Sequence, residues 1–540
     1  MNQPVDLDFS DRIKQLKSLG EGEWITVWSK NSEGNENTFC ALIPLSESNR
    51  LIEDPSWNLQ IGDGRPCFAY HYENGQKVFE YHRFGNEDAE PLIFWRSFGG
   101  IKEGYWEVLE EFRHYFNLYE DKKDHKFLFI DDNGDEQEVV TIQKNQINIK
   151  LKFLKEFLAV KNMDLVILFD YLRSSDKSLA EQGLKESRQN VKKKQYVYSK
   201  IVYDEEDHID PKIKSQSWMY GKKIIYGAKN FSPDFDTKKC KKCADFIIGF
   251  DKNGNELTFT CDEKKLSNFF GKNPKAPNYL TPVFFRKEVL TKYYNQPTKY
   301  FVSDGCLQCG NLWMLRMDNN NPDFVVVFLG DLVHLSYNEQ LHWRHHNMPI
   351  KGKISYTAWK RNFEAKFADP ERSDLFFKKR YVEVKNNWKE KFGWEIFLSL
   401  SAEDEYHFRT LRIPLTNEQK EFDEQVLSLT KLMIDSLNEN ELSKHSTLSK
   451  EGAKGIDKLE LFLQSNGRFL SGMIQYLREL QSLRSSGVAH LKGKKYLKIQ
   501  KDCGIGEEKT LQEVFDNILM KAIWTLNTLN NIVPKNGCPA

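Results

Sequence analysis

Residues Thr510 to Ile532 read TLQEVFDNILMKAIWTLNTLNNI, and the spacing of their apolar side chains predicts a helix. Leu511, Val514, Phe515, Ile518, Leu519, Ile523 and Leu526 recur at mostly three- and four-residue intervals, one stripe of a helical surface. Thr510 with Glu513 makes a capping box, in which hydroxyl and carboxylate each satisfy a backbone N–H that the first turn leaves open. The same pattern runs upstream. Phe469 to Leu483 carries Leu470, Met473, Ile474, Leu477, Leu480 and Leu483, and Ile456 to Leu463 is a shorter helix. Glu418 to Leu442 reads as one helix with Phe422, Val426, Leu429, Leu432 and Met433 on one face. Four amphipathic helices in about 115 residues suit a helical bundle. Composition shifts near Pro414-Leu415-Thr416, which sets an expected all-α domain at 416–540.

Upstream the pattern is mixed, so the expected fold class is α+β: two mixed α/β regions followed by the helical bundle. In the first region, 1–175, Asn133-Gly134 separates Phe127-Leu128-Phe129-Ile130 from Val139-Val140-Thr141-Ile142, a β-hairpin signal. Trp106, Leu109, Phe112 and Phe116 suggest a helix over Tyr105 to Tyr119, Leu151 to Val160 another, and Leu165 to Phe169 a buried strand. The polar, basic stretch Ser178 to Lys200, with Lys192-Lys193-Lys194, reads as a solvated linker or helix face, with a nucleic-acid contact as the alternative. In the second region, 176–415, Asn253-Gly254 lies between Phe246-Ile247-Ile248 and Leu257-Thr258-Phe259 as a second hairpin. Both mixed regions are expected to sense or regulate.

The 540 residues include 78 basic and 78 acidic side chains and are 40% apolar and 13% aromatic. That apolar content excludes global disorder, and the charge balance excludes a uniformly basic nucleic-acid coat. The start, Met1-Asn2-Gln3-Pro4-Val5-Asp6-Leu7-Asp8, lacks the basic and apolar stretches of a secretory signal. Apolar runs such as Leu165 to Phe169 and Phe324 to Leu329 are strand-sized, too short to span a membrane. Nine scattered cysteines, an odd number, suit reduced thiols. A cytoplasmic protein without membrane association is expected.

The neutral balance is an average. Residues 417–540 carry 17 basic and 16 acidic side chains, yet Arg484 to Lys501 contains six basic residues and no acid. This stretch includes Leu483-Arg484-Ser485-Ser486-Gly487-Val488-Ala489-His490-Leu491-Lys492-Gly493-Lys494-Lys495. Arg484 lies seven residues after Leu477 and four after Leu480, on the packed face, where a permanent charge is costly unless paired. An Arg and a His at one phosphodiester suffice for metal-free RNA cleavage. The imidazole moves a proton at the 2′-OH or the 5′ oxygen, and the guanidinium stabilises charge on the non-bridging oxygens. Arg65 with His71 repeats the spacing in a β-type context, so the pair has meaning only through its setting.

That setting, over roughly 417–533, resembles the HEPN superfamily, whose helical domains carry an Arg-X(4–6)-His motif. The resemblance implies that Arg484 and His490 are the catalytic pair, with Ser485 at the adjacent polar position, where active members often carry Asn, Asp or His. It implies a homodimer in which two motifs form one composite site. The layout is similar to single-protein anti-phage HEPN systems, which implies a toxin-like ribonuclease for antiviral defence by abortive infection, a phage-derived trigger and RNA, such as tRNA, as substrate. Lys492, Lys494, Lys495 and Lys498 would hold the RNA backbone. No cofactor is expected.

Other motifs point elsewhere. Cys240-X-X-Cys243 and Cys306-X-X-Cys309 are candidate zinc ligands. His342, with His345 or His346, has helical ligand spacing, and Asp331 and His334 lie upstream. Asp374 with Glu383-Val384-Lys385 resembles the acidic pair and lysine of metal-dependent nucleases. There is no P-loop, no G-x-S-x-G elbow and no dinucleotide fingerprint. Two alternatives to RNA cleavage stay open: a non-catalytic RNA-binding or dimerisation module, and a metal-dependent nuclease.

Overall fold

The computed structural model describes residues 6–31, 35–59, 65–83, 89–205, 210–228, 242–268, 270–350, 352–487 and 509–532. It is mixed α/β, with a β-rich amino-terminal region and carboxy-terminal helices. The chain divides into two compact units, Met1–Asp131 with Asp135–Lys239, and Cys240–Ala540 with Asp132–Gly134.

The first unit is built on a ten-stranded antiparallel sheet. Its strands in chain order are β1 (Trp24–Lys30), β2 (Glu36–Pro44), β3 (Tyr119–Asp121), β4 (Lys126–Ile130), β5 (Glu136–Gln143), β6 (Gln146–Lys150), β7 (Met163–Ser175), β8 (Ser187–Lys192), β9 (Tyr196–Asp204) and β10 (Ser215–Ile225). Their order across the sheet is β8-β9-β10-β7-β2-β1-β6-β5-β4-β3. The hairpin expected at Asn133-Gly134 is the β4–β5 pair, with Gly134 at φ 72°. Strand β7 explains the apolar run at Leu165 to Phe169. Leu165 and Ile167 pack into a core with Leu154, Phe157 and Leu158 of helix Leu151–Lys161, while Val166 and Leu168 pack on the other face against Ala41, Ile43 and Ile224. A strand covered on both faces has no polar alternation to show.

Three expectations are corrected here. The basic stretch Ser178 to Lys200 is not a linker, because its second half, from Ser187, forms β8 and the start of β9. Edge strand β8 is exposed almost throughout, which removes the apolar alternation by which a strand is recognised. A boundary at 175 would cut the sheet, since β7 pairs with β10 from Leu165↔Ile225 to Ser175↔Ser215. Likewise Tyr105 to Tyr119 is not one helix: Tyr105–Val108 pairs as a strand with Ile93–Arg96, and only Glu110–Tyr115 is helical.

The second unit opens with the expected hairpin, Asp245–Phe250 paired with Glu256–Thr260. Two three-stranded sheets follow. One joins Pro282–Arg286, Phe324–Phe328 and Asn347–Met348; the other joins Tyr300–Ser303, Cys306–Cys309 and Trp313–Arg316. The chain then becomes helical, with α1 (Ser373–Phe392), α2 (Gln419–Thr430), α3 (Glu439–Lys444), α4 (Gly455–Ser465), α5 (Ser471–Gly487) and α6 (Leu511–Ile532). One apolar core joins Phe377, Tyr381 and Trp388 of α1 to Phe422 and Leu429 of α2, Leu459 and Phe462 of α4, Leu477 and Leu480 of α5, and Phe515 and Ile523 of α6. Each such side chain contributes about 1.5–3 kcal/mol on burial. The helical core therefore begins at Ser373, upstream of the compositional change near Pro414.

The capping box forms as expected: the Glu513 carboxylate accepts from Thr510 N at 2.8 Å, and Glu513 N donates to Thr510 Oγ1 at 3.2 Å. Glu418 to Leu442 is interrupted, however. After α2 comes a π-helical turn, Lys431–Asp435, before α3 starts. Leu398 N donates to Ser436 O (2.7 Å) and Asn438 N to Ile396 O (2.9 Å), so a neighbouring segment takes over the backbone bonds that would continue the helix. Asn438 then caps α3 by accepting from Glu441 N.

Candidate functional site

Helix α5 carries Arg484 in its last turn, one residue past the buried Leu483. The pairing that its position demands is present: Nη1 donates to Asp435 Oδ2 and Oδ1 at 3.0 and 3.1 Å. Asp435 comes from the π-helical turn, a type of distortion that is frequent at functional sites. The Arg484 side chain is 32% exposed, and Nε and Nη2 make no hydrogen bond among the described residues. Among the described residues, two donors of a rigid fork are thus unpaired at a part-exposed position, the geometry that grips two oxygens of a phosphate.

Ser485 is exposed, and its Oγ donates to the Gln481 carbonyl one turn back (2.9 Å). His490, Lys492, Lys494, Lys495 and Lys498 lie outside the described residues, as does Cys240.

Beside Arg484 the structure brings in a histidine that linear spacing does not reveal. His407, on the short helix Tyr406–Thr410, is 3% exposed, and its Nδ1 lies 2.9 Å from Ser428 Oγ of α2. Its Nε2 is 3.8 Å from Asp404, which also accepts from Lys431 Nζ at 3.3 Å. Burial, with the positive charge of Lys431, pulls the His407 imidazole below its ordinary value. Asp404 and Asp435 oppose the shift, and Arg484 adds to it. One end of the helical core therefore holds a buried imidazole, two carboxylates and two cations. His407 sits outside the four expected helices, in a segment without apolar periodicity, so only the packing of that segment on α2 makes it visible.

The other candidates disperse. Cys306 and Cys309 share one short strand three residues apart, where side chains point to opposite faces, and Cys243 interacts with Cys261 instead. Cys306-X-X-Cys309 therefore does not converge as zinc ligands do. Among the described residues no group of three or more His, Cys, Asp or Glu is placed to hold a metal ion. His342 Nε2 lies 2.9 Å from the Val289 carbonyl, and burial lowers the pKa of both His342 and His346. Asp331 accepts from Tyr279 OH at 2.9 Å, and burial raises its pKa.

Glu383 and Lys385 lie on helix α1, where positions two apart diverge around the axis. Glu383 is bound by Arg380 (2.6 Å), while the buried Asp374 accepts from Arg372 Nε and from Ile413 N, both at 3.0 Å. The acidic pair and lysine of a metal nuclease are not assembled there. His71, the partner in the second Arg/His spacing, is on an exposed strand beside Glu73.

No family model, curated protein or solved structure matches the chain. No helix among the described residues is long and apolar enough to cross a membrane.

Proposed function

We propose that the protein is a metal-independent endoribonuclease of the HEPN type, acting as a homodimer in anti-phage defence by abortive infection. The observation that supports this reading is Arg484. It closes a helix of the carboxy-terminal core, is held by Asp435 through Nη1, and has no partner for Nε and Nη2 among the described residues. In this mechanism those two donors hold the non-bridging oxygens of the scissile phosphate. His490 moves a proton at one end of the displacement. The RNA 2′ oxygen loses its proton and bonds to phosphorus, and the bond to the 5′ oxygen breaks as that oxygen is protonated. The products carry 2′,3′-cyclic phosphate and 5′-hydroxyl ends, and because the RNA supplies its own nucleophile no metal is needed. Ser485 borders the pair, and Lys492, Lys494, Lys495 and Lys498 grip the backbone of an RNA such as tRNA, so binding weakens with salt.

Sequencing RNA ends from cells expressing wild type, Arg484→Ala or His490→Ala, with and without phage, tests the reading. Wild type is expected to yield cyclic-phosphate ends on infection. Arg484→Ala should lower cleavage by about 10²–10³-fold and His490→Ala by about 10²–10⁴-fold. Intact RNA in triggered wild-type cells, or undiminished cleavage by His490→Ala, overturns the proposal.

A second reading draws on the same ion pair, since Asp435 neutralises Arg484. In it the helical domain binds RNA or a second copy without chemistry. His490→Ala then leaves the phenotype intact, whereas changing the four lysines to glutamate abolishes it.

A further inference from the structure

The second unit contains a cavity of about 930 Å³ that no part of the ribonuclease reading uses. Its residues lie between Tyr279 and Phe363, in the α+β part of the unit. Strand Phe324–Phe328 forms one wall and shows why the apolar run there lacks alternation. Val325 and Val327 point into the core, while Val326 and Phe328 point into the cavity. Phe363 and Trp313 add two more aromatic side chains to the lining.

The polar groups of the lining are unevenly satisfied. Asp331 accepts one hydrogen bond, from Tyr279 OH (2.9 Å). Gly330 sets that contact up: a Cβ there would lie 2.2 Å from the Tyr279 ring, so only glycine lets the ring lie against this backbone. The remaining Asp331 oxygen has no partner among the described residues. Arg316 and His334 face Asp331 electrostatically, and neither side chain makes a hydrogen bond or ion pair of its own among the described residues. By contrast, Arg361 is committed to Asp304 at 2.7 Å, and Asp318 accepts from Ser355 N, Ser355 Oγ and Asn320 N.

Among the described residues, the cavity thus offers aromatic side chains for a planar body, the uncommitted Arg316 guanidinium for an anion, and an Asp331 oxygen for an N–H donor. A wholly apolar ligand would leave Arg316 and Asp331 without partners, which is costly on desolvation. A bare inorganic anion would leave the ring faces in water, and the volume lies within the range of small-molecule sites. A heteroaromatic base with an exocyclic amine, carried on a phosphate, meets all three features. We propose that this cavity binds a mononucleotide, its base against Trp313, Phe328 and Phe363, its amine toward Asp331 and its phosphate on Arg316. The inference stands independently of RNA cleavage.

The test is titration calorimetry of the full chain with AMP, GMP, CMP and UMP, with adenosine and inorganic phosphate as separate arms. At least one mononucleotide is expected to bind, and adenosine or phosphate alone about tenfold or more weakly. Arg316 and Phe363 are both exposed, so Arg316→Glu and Phe363→Ala keep the fold and should each weaken binding about tenfold or more. Arg484→Ala should leave binding unchanged. Absence of binding by all four mononucleotides at millimolar concentration overturns the proposal. So does binding that survives both cavity variants, or that is lost only with Arg484→Ala, which would place the nucleotide at the candidate ribonuclease site.

Discussion

Arg484 and His407 meet the same environment in opposite ways. Asp435 pairs with the Arg484 guanidinium, whereas burial and Lys431 lower the His407 pKa against the opposing pull of Asp404 and Asp435. Since the folded value of His407 lies below the unfolded value near 6.5, the unfolded chain binds the extra proton in the window between them. The stability that His407 contributes is therefore complete above about pH 6.5 and is lost as pH falls toward the lowered folded value. The groups facing the ring are Ser428, Asp404, Lys431, Asp435 and Arg484. The thermal midpoint of wild type should fall between about pH 7.5 and about pH 5.5, and His407→Gln should fall less. An equal fall in both proteins removes His407 from the account. Arg484 was legible in the sequence because a charge on an apolar stripe calls for a partner. That Asp435 is the partner was not, since Asp435 reaches it through a π-helical turn made by contacts with residues 396–398.

At the scale of elements, apolar periodicity located α4, α5 and α6 closely, because each buries one stripe against a shared core. It failed where burial and polarity part company. Strand β8 is polar and exposed, and β10 carries Lys222 and Lys223 into the sheet interior. Lys222 is fully buried, its Nζ donates to Asn58 Oδ1 at 2.8 Å, and burial pushes its pKa down to about 8 against the weaker pull of Asp54. A folded value below the unfolded one near 10.4 is a penalty on stability, present in full below about pH 8 and relieved as pH rises toward the unfolded value. Lys222→Met should therefore raise the urea midpoint at neutral pH, with a gain that shrinks above about pH 8. A lower midpoint at neutral pH would show that the bond to Asn58 outweighs the cost of burying the amine.

For the whole molecule, the consequential difference is where the helical part begins. Phe377, Tyr381, Val384 and Trp388 of α1 belong to the same core as α2 through α6. A chain comprising residues 370–540 is expected to unfold cooperatively in denaturant. One comprising 416–540 loses those four side chains, each worth about 1.5–3 kcal/mol, and should melt without a cooperative transition. Equal cooperativity in both would show that α1 is dispensable. The sequence by itself determined the α+β class, both Asn-Gly hairpins, the amphipathic helices and the demand for a counter-charge at Arg484, because each follows from local periodicity, turn chemistry or the cost of burying charge. Only the tertiary structure decided that residues 187–225 complete the first sheet, that α1 joins the helical core, that Cys306 and Cys309 diverge, and that His407, Asp404, Lys431 and Asp435 gather at Arg484. Those outcomes depend on which distant backbones and side chains meet, and no repeat in the linear pattern encodes such meetings.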